Sequence, residues 1–385
     1  MELYVHIPFC KRKCRYCSFV SFTEKAAEHE AYINLLLKEA ELRAEEADEK
    51  ITTIYLGGGT PSLLSSRLLE KLIRGLNSIF NLDSVSEFTS EANPGTVTED
   101  WLEKAAELGV NRISFGMQAS QDSLLCILGR IHRQDEVFHS MELARQAGFK
   151  NINLDLIFGI PTQTEDDWTQ TLLTALSLHP EHISAYGLIP EEGTPLFNDL
   201  RMNRLQLPDA DMERNMYSKA VSLLHSYGLQ RYEISNFARP GCECMHNIGY
   251  WTQVPYIGIG ISAASMTGFR SLPDGISYSR STNPCSWADY RSMILGKKLP
   301  VPEVISPKEA RFESVMLGFR MADGINEDTF MRMHKVSLED CYGEKLHKYC
   351  ENGLIIQEGH HWRMSERGFD IQNTILSDLM DDSFN

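Results

Sequence analysis

Three cysteines lie within eight residues near the start of the chain, at Cys10, Cys14 and Cys17. This spacing suits a cubane iron–sulfur cluster, because three thiolates hold three irons and leave the fourth iron open to a substrate or cofactor. A zinc loop that includes His6, or a chance arrangement, is the alternative, although structural zinc needs a fourth ligand and usually pairs its cysteines as Cys-x2-Cys. Clustered thiols without an export signal before them indicate metal or redox chemistry in a reducing cytoplasm.

Further residues of unusual type follow short β-branched or aromatic runs. A Gly-Gly-Gly-Thr-Pro stretch occupies residues 57–61, and Glu91, Gln118 and Asp155 follow or lie in later runs. Glycines let backbone groups approach a ligand closely, but a tight strand–helix turn would need them equally. Asp155 interrupts an otherwise apolar strand, where an unpaired charge is costly, so we favour a binding role over a surface or capping role.

The elements that position these residues alternate between strand and helix over the first two hundred residues. Such alternation predicts a parallel sheet covered by helices. Six units are too few for an eightfold barrel, so we expect a partial barrel, with a flat doubly wound sheet as the alternative. In both architectures functional residues gather at the carboxyl ends of the strands. The six runs are residues 3–9, 52–56, 86–90, 112–115, 153–158 and 182–188.

The pattern changes beyond residue 229. Residues 241–266 are rich in glycine, cysteine and aromatics, and residues 299–307 carry three prolines, as a linker would. From residue 306 the order is three helices and a hairpin, which resembles a winged helix. There 15 acids outnumber 9 bases, which favours a packing role over DNA binding. The predicted division is therefore 1–228, 229–305 and 306–385.

Composition excludes several classes of protein. The chain of 385 residues has 53 acidic and 37 basic residues and a net charge of −16, which argues against a nucleic-acid partner and gives no sign of membrane contact. Uninterrupted apolar stretches all fall short of the 18 residues that a membrane span requires. We therefore expect a cytoplasmic globular protein.

The motifs taken together resemble the radical S-adenosylmethionine (SAM) superfamily. Within it they are similar to the group that contains HemN, the oxygen-independent coproporphyrinogen III dehydrogenase, and HemW, its heme-chaperone relative. The resemblance runs over nearly the whole chain and implies a partial (β/α)6 barrel with a C-terminal α+β extension that ends in a small winged-helix-like domain. The motifs are residues 4–10, 57–62, 91–95, 114–118, 128–132, 153–161 and 232–238.

The resemblance implies a role for each matching residue. Cys10, Cys14 and Cys17 would ligate a [4Fe–4S] cluster, whose fourth iron would bind SAM. One electron from the reduced cluster would cleave SAM to a 5′-deoxyadenosyl radical. Arg130 would face the SAM carboxylate in a charge-assisted contact. The residues implied around SAM are Tyr4, Tyr16, Gly58, Gly59, Thr60, Glu91, Gln118, Arg130 and Asp155.

Two features separate the relatives within this group. HemN-type enzymes carry a further cysteine two residues after the triplet and a longer segment before it, whereas this chain has Phe19 and begins nine residues before Cys10. A His-Asn-x-x-Tyr-Trp segment, with His246, Tyr250 and Trp251, is typical of HemW-like proteins. His246 could be an axial ligand of heme iron and the aromatics could stack on the porphyrin. Three alternatives remain. Cys242 and Cys244 could form part of a zinc site with His246, one of these cysteines could ligate heme through its thiolate, or His246 could be purely structural.

The resemblance thus implies a heme chaperone with a [4Fe–4S] cluster and SAM as cofactors and heme as cargo. Its partners would be an acceptor heme protein, for example one of respiration, and an electron donor. Such a protein is a carrier and not necessarily a catalyst, and Phe19 argues against coproporphyrinogen dehydrogenase activity. Oxidative decarboxylation of coproporphyrinogen III is the alternative function, followed by radical chemistry on an unrelated substrate.

Overall fold

The computed structural model describes residues 1–23 and 26–383. Six parallel strands lie side by side in chain order, from β1 to β6. A doubly wound sheet would reverse its order at an interior strand, so the partial-barrel prediction is confirmed. The strands are β1 (Glu2–Ile7), β2 (Thr53–Gly58), β3 (Glu87–Ala92), β4 (Arg112–Gln118), β5 (Asn151–Phe158) and β6 (His182–Gly187).

Helices cover one face of this sheet, and the strand residues alternate accordingly. Leu3, Val5 and Ile7 belong to the main apolar core, whereas the intervening Tyr4 and His6 take part in polar contacts on the other face. No helix in the described part of the chain is long and apolar enough to cross a membrane. The helices are α1 (Ala26–Arg43), α2 (Ser66–Phe80), α3 (Glu99–Glu107), α4 (Asp122–Leu128), α5 (Gln134–Gln146), α6 (Glu165–Ser177), α7 (Pro195–Arg201) and α8 (Ala210–Ser226).

The middle of the chain extends this sheet at both edges, which the sequence pattern did not predict. Strand β8 pairs antiparallel with β6, and β9 pairs parallel with β1, so the sheet has twelve strands among the described residues. Residues far apart in sequence therefore share one sheet. The added elements are β7 (Gln230–Arg231), β8 (Asn236–Ala238), α9 (Met245–Trp251), β9 (Tyr256–Ile259), β10 (Ala264–Leu272), β11 (Gly275–Thr282), α10 (Trp287–Leu295) and β12 (Glu303–Ile305).

The C-terminal part has its own three-stranded sheet and its own apolar core. Helix, short strand, two helices and hairpin follow one another in the order of a winged helix. Arg231 pairs with Glu366 across the boundary with the barrel. The three-part division remains a prediction. The elements are α11 (Pro307–Gly318), β13 (Ile325–Asn326), α12 (Glu327–His334), α13 (Leu338–Glu351), β14 (Ile355–Glu358), β15 (His361–Met364), α14 (Glu366–Asp370) and α15 (Gln372–Ser383).

Candidate functional site

A cavity of about 430 Å³ lies at the carboxyl ends of the barrel strands. It brings together eleven of the twelve residues predicted to hold the cluster and SAM. Tyr4 does not line the cavity, but its ring lies 6.3 Å from the ring of Tyr55, which does line it. The eleven are Cys10, Cys14, Cys17, Tyr16, Gly58, Gly59, Thr60, Glu91, Gln118, Arg130 and Asp155.

The loop that carries the cysteines is tied back to the first strand. The Cys10 amide donates a hydrogen bond to the Phe22 carbonyl at 3.0 Å, and the Phe22 amide donates to Pro8 at 2.7 Å. His6 Nε2 lies 2.8 Å from the carbonyl oxygen of Val20. These contacts hold both ends of the loop against β1, so the three thiols border the cavity in a fixed backbone frame.

The arrangement of thiols can be tested against a single metal ion. In residues 1–23 and 26–383, no three His, Cys, Asp or Glu side chains converge closely enough to hold one. The three thiols do border one cavity, where each could bind a separate iron of a cubane. Burial raises the pKa of the Cys10 and Cys17 thiols, so binding of a metal there would release protons.

The glycines after β2 have a packing reason of their own. Gly58 has φ of +105°, and a Cβ there would lie 2.3 Å from the His6 ring. Its amide donates to Glu91 Oε2 at 3.0 Å, and the Gly59 amide donates to the Ile7 carbonyl at 2.8 Å. Because both amides are already used, these residues can offer a ligand their carbonyl oxygens and close approach, not N–H donors.

Two of the carboxyl groups that line the cavity, Glu91 and Asp155, belong to barrel strands. Tyr55 Oη donates to Glu91 Oε1 at 3.1 Å, and burial together with the nearby Asp155 charge raises the pKa of Glu91 to about 7. Ser114 Oγ and Asn153 Nδ2 donate to the Asp155 carboxylate at 3.0 and 2.8 Å. Burial raises the pKa of Asp155 despite these bonds. A cationic ligand such as SAM would favour the charged form of both groups.

Arg130 crosses the same cavity. Its Nη1 lies 3.4 Å from Cys14 Sγ, while Nη2 donates to Asn93 Oδ1 at 2.6 Å and to the Gly116 carbonyl at 2.8 Å. A Cβ at Gly116 would come within 2.9 Å of this guanidinium, so a glycine is needed there. The arginine is thus held by neutral oxygens, and it supplies positive charge beside the carboxyl groups of the site.

The sequence analysis assigned no role in the site to four further residues that line the cavity, namely Tyr55, Asn93, Ser114 and Tyr186. Tyr55 lies two residues before Gly57 in β2, and Ser114 lies two residues before Gly116 in β4, so each faces the same side of its strand as that glycine. Strand alternation therefore contained the signal for these two.

The His-Asn-x-x-Tyr-Trp segment lies elsewhere. It forms α9, whose first amides, those of Met245 and His246, donate to the Glu87 carboxylate at 2.8 and 3.1 Å. Glu87 and Thr53, which contacts His246, are the first residues of β3 and β2. The helix therefore packs at the amino ends of the strands, and the predicted heme residues do not line the cavity. The His246 ring stacks at 5.3 Å on that of Tyr55, so a single side chain separates it from the cavity.

His246 is fully engaged in this position. Nδ1 lies 2.8 Å from Thr53 Oγ1, Nε2 lies 3.0 Å from Tyr250 Oη, and no part of the residue is exposed. Burial, with the nearby Arg112 charge, lowers the pKa of His246 to about 3. A heme iron at His246 would have to displace one of these partners. Its role as a ligand stays a prediction, and this geometry equally suits a structural histidine.

The other two predicted heme residues pack against different neighbours. The Tyr250 ring lies edge-on to that of Tyr256 at 4.8 Å, and the Arg320 guanidinium lies 5.9 Å from the Trp251 ring centroid. Arg320 belongs to the C-terminal part of the chain, so Trp251 lies near its boundary with the barrel.

Comparison with protein families matches two segments of the chain. Residues 4–175 match the radical SAM superfamily, and residues 305–371 match the HemN C-terminal domain. The first segment contains the triplet cysteines and every residue predicted around SAM. The second covers α11 to α14.

Several relatives that are similar over most of their length are named heme chaperone HemW. The heme chaperone HemW of Bacillus subtilis is 37% identical over 356 residues, which cover 91% of this chain and 92% of that protein. HemW of Lactococcus lactis is 35% identical and covers 99% and 98%. HemW of Escherichia coli is 33% identical and covers 98% and 97%.

A solved structure agrees with the fold. Coproporphyrinogen III oxidase (HemN) from Escherichia coli, a radical SAM enzyme, superposes with a TM-score of 0.84 over 100% of this chain and 90% of that chain. The two are 22% identical in sequence. At that identity the likeness establishes a shared architecture and leaves the activity open.

Proposed function

Since this chain belongs to the HemW family of the radical SAM superfamily, we propose that it is a heme chaperone, which binds heme and transfers it to an acceptor heme protein. One observation carries the proposal: similarity to heme chaperones spans 91% to 99% of the chain at 33% to 37% identity. We further propose that it acts in the cytoplasm, receives electrons from a separate donor, and delivers heme to an acceptor such as a respiratory protein.

In this proposal Cys10, Cys14 and Cys17 ligate a [4Fe–4S] cluster. When bound, the reduced cluster supplies one electron for cleavage of SAM. The residues of this chain bind and orient SAM: Glu91 and Asp155 face its cationic groups, and Arg130 faces its carboxylate. The support is that all six side chains border one cavity.

The alternative is oxidative decarboxylation of coproporphyrinogen III. Phe19 stands where HemN-type enzymes have a further cysteine, and it is 67% exposed. The likeness to the HemN structure concerns the fold, so it does not favour this activity. Coproporphyrinogen turnover therefore serves as the comparison assay.

The proposal includes a heme site formed by His246, Tyr250 and Trp251. Both imidazole nitrogens of His246 already have partners. Ligation of heme iron by His246 would therefore require the ring to lose its contact with either Thr53 or Tyr250. The alternative is that His246 anchors α9 against the barrel and that the heme binds elsewhere.

Heme transfer tests the chaperone function directly. Anaerobically reconstituted protein is loaded with heme, freed from excess, and mixed with the apo form of a heme-containing oxidase subunit. Soret absorption of the separated donor and acceptor follows the heme. Stoichiometric loading and activation of the acceptor are expected.

A comparison of variants tests the site. His246→Ala is measured beside His139→Ala, a matched change of an exposed histidine in α5. Loss of loading in the first variant alone, with cluster and SAM binding intact, supports His246 as a heme residue. If the unaltered protein shows no saturable heme binding, the chaperone proposal is wrong and coproporphyrinogen turnover becomes the leading candidate.

A further inference from the structure

Large apolar side chains surround the mouth of the cluster and SAM cavity. Phe19, Tyr186 and Ile189 all line this cavity, with 67%, 39% and 71% of each residue exposed. They come from two separate places, the cysteine loop and the end of β6. Exposed apolar groups gathered around a functional cavity mark a surface that binds another molecule.

The cysteine loop holds Phe19 at this rim. Phe19 follows Cys17 by two residues, and Lys13 Nζ donates to its carbonyl oxygen at 3.2 Å. Lys13 lies just before Cys14, so this contact places Phe19 beside the part of the loop that carries Cys14 and Cys17. A ligand on Phe19 would therefore cover the entrance to the cavity.

Positive charge accompanies this apolar rim in a chain whose net charge is −16. Lys11, Arg12 and Lys13 are consecutive and exposed, and Arg12 lines the cavity itself. Neither Lys11 nor Arg12 has an ion-pair partner among the described residues. The acidic Glu191 also lines the cavity, so an anionic group would be drawn to the Arg12 side.

We propose that heme binds across this mouth, with its ring face on Phe19, Tyr186 and Ile189 and its propionates toward Lys11 and Arg12. The inference rests on the proposed function and deepens it, because it moves the cargo from α9 to the cavity entrance. Heme matches the surface in both respects: it has a broad apolar face and two carboxylates at one edge.

The mouth also suggests how the heme is released. The described residues that line the cavity include no histidine and no methionine, and the three cysteines are assigned to the cluster. Heme at this site is held by ring packing and by exposed ionic contacts. An acceptor that supplies a strong axial ligand can therefore remove it.

The first test is heme titration of the cluster- and SAM-loaded protein, followed by Soret absorption. Phe19→Ala is expected to raise the heme Kd about tenfold, as loss of one buried aromatic contact does. Ile189→Asp should raise it further. Val301→Asp is the matched control, since Val301 is 93% exposed and lies outside the cavity.

A second pair of variants tests the charge. The double change of Lys11 and Arg12 to Gln is expected to raise the heme Kd about fivefold at low salt and to flatten its salt dependence. The same double change at Lys297 and Lys298, two exposed bases elsewhere, should have no effect. Iron content and SAM binding establish that each variant is folded.

The outcomes separate this inference from the function on which it rests. If heme binds the unaltered protein, Phe19→Ala keeps the same Kd and His246→Ala loses binding, the cargo lies at α9 and this inference is wrong. If the unaltered protein binds no heme, both proposals fail. An independent readout is the rate of SAM binding to protein that has first been loaded with heme, which should be at least tenfold lower than without heme. An unchanged rate would contradict a heme at the entrance.

Discussion

The guanidinium of Arg130 lies 3.4 Å from the thiol sulfur of Cys14 and, at its other nitrogen, 2.6 Å from Asn93 Oδ1. One side chain thus contacts a predicted cluster ligand while it spans the cavity predicted for SAM. The effect of a change at this arginine can therefore be measured separately on each part, as iron content for the cluster and as affinity for SAM.

Arg130→Lys is expected to raise the SAM Kd about tenfold while the iron content stays unchanged. Lysine keeps the charge but cannot reproduce the planar fork that reaches several oxygens at once. Anaerobic calorimetry with SAM, beside an iron assay, measures both. Arg133→Lys, at an exposed position, is the control. Equal affinity in the two variants would remove Arg130 from the SAM site.

Cys14→Ala is expected to reduce iron and sulfide to background after anaerobic reconstitution, because two thiolates do not retain a cubane that needs three. Cys126→Ala changes an exposed cysteine outside the cavity and should retain full content. Full iron and sulfide in the Cys14 variant would show that the triplet is not the cluster site.

Asp155→Asn is expected to weaken SAM binding at least tenfold, because the amide keeps the size of the side chain but removes the negative charge and one of the two acceptor oxygens. Calorimetry on cluster-loaded protein measures the change. Asp166→Asn, at an exposed position in α6, is the matched control. An unchanged Kd would place Asp155 outside the SAM site.

The cofactor-free protein is expected to lose stability as the pH rises from about 6.5 to 8.5. Burial raises the pKa of Glu2 to about 8 and that of Glu91 to about 7, so the folded state holds protons that the unfolded chain has released. The free energy of unfolding therefore falls with pH, by at most about 1.4 kcal/mol per unit for each group. Chemical denaturation at several pH values measures the slope.

Glu2→Gln supplies the control for this pH dependence. Glutamine cannot ionise, so the slope between pH 7.5 and 8.5 should become shallower, whereas Glu41→Gln, at an exposed position in α1, should leave it unchanged. A stability that rises over this range would contradict the burial of protonated carboxyls.

Much of the barrel could be predicted because its strands and helices are local patterns. The fifth run was predicted at 153–158 and the strand is Asn151–Phe158, an error confined to one end. Strand β9 could not be placed in this way. Tyr256–Ile259 pairs with Glu2–Val5, and such a distant pairing leaves no periodic signal in either segment.

In the candidate site, too, local features could be predicted from the sequence and contacts between distant residues could not. The triplet cysteines and Asp155 were visible as residue types out of place in their surroundings. Tyr55 was not, because its role depends on a contact across strands to Glu91. The engagement of both nitrogens of His246 was equally hidden, since its partners Thr53 and Tyr250 are set by how α9 docks.

The parallel pairing of β9 with β1 also determines when the sheet can be completed during synthesis of the chain. The cysteine loop leaves the ribosome early, but its supporting strand β1 keeps an open edge until residue 259 has emerged. An open strand edge accepts wrong partners readily. A cluster that bound before about two thirds of the chain had been translated would therefore meet a barrel whose first strand still has an open edge.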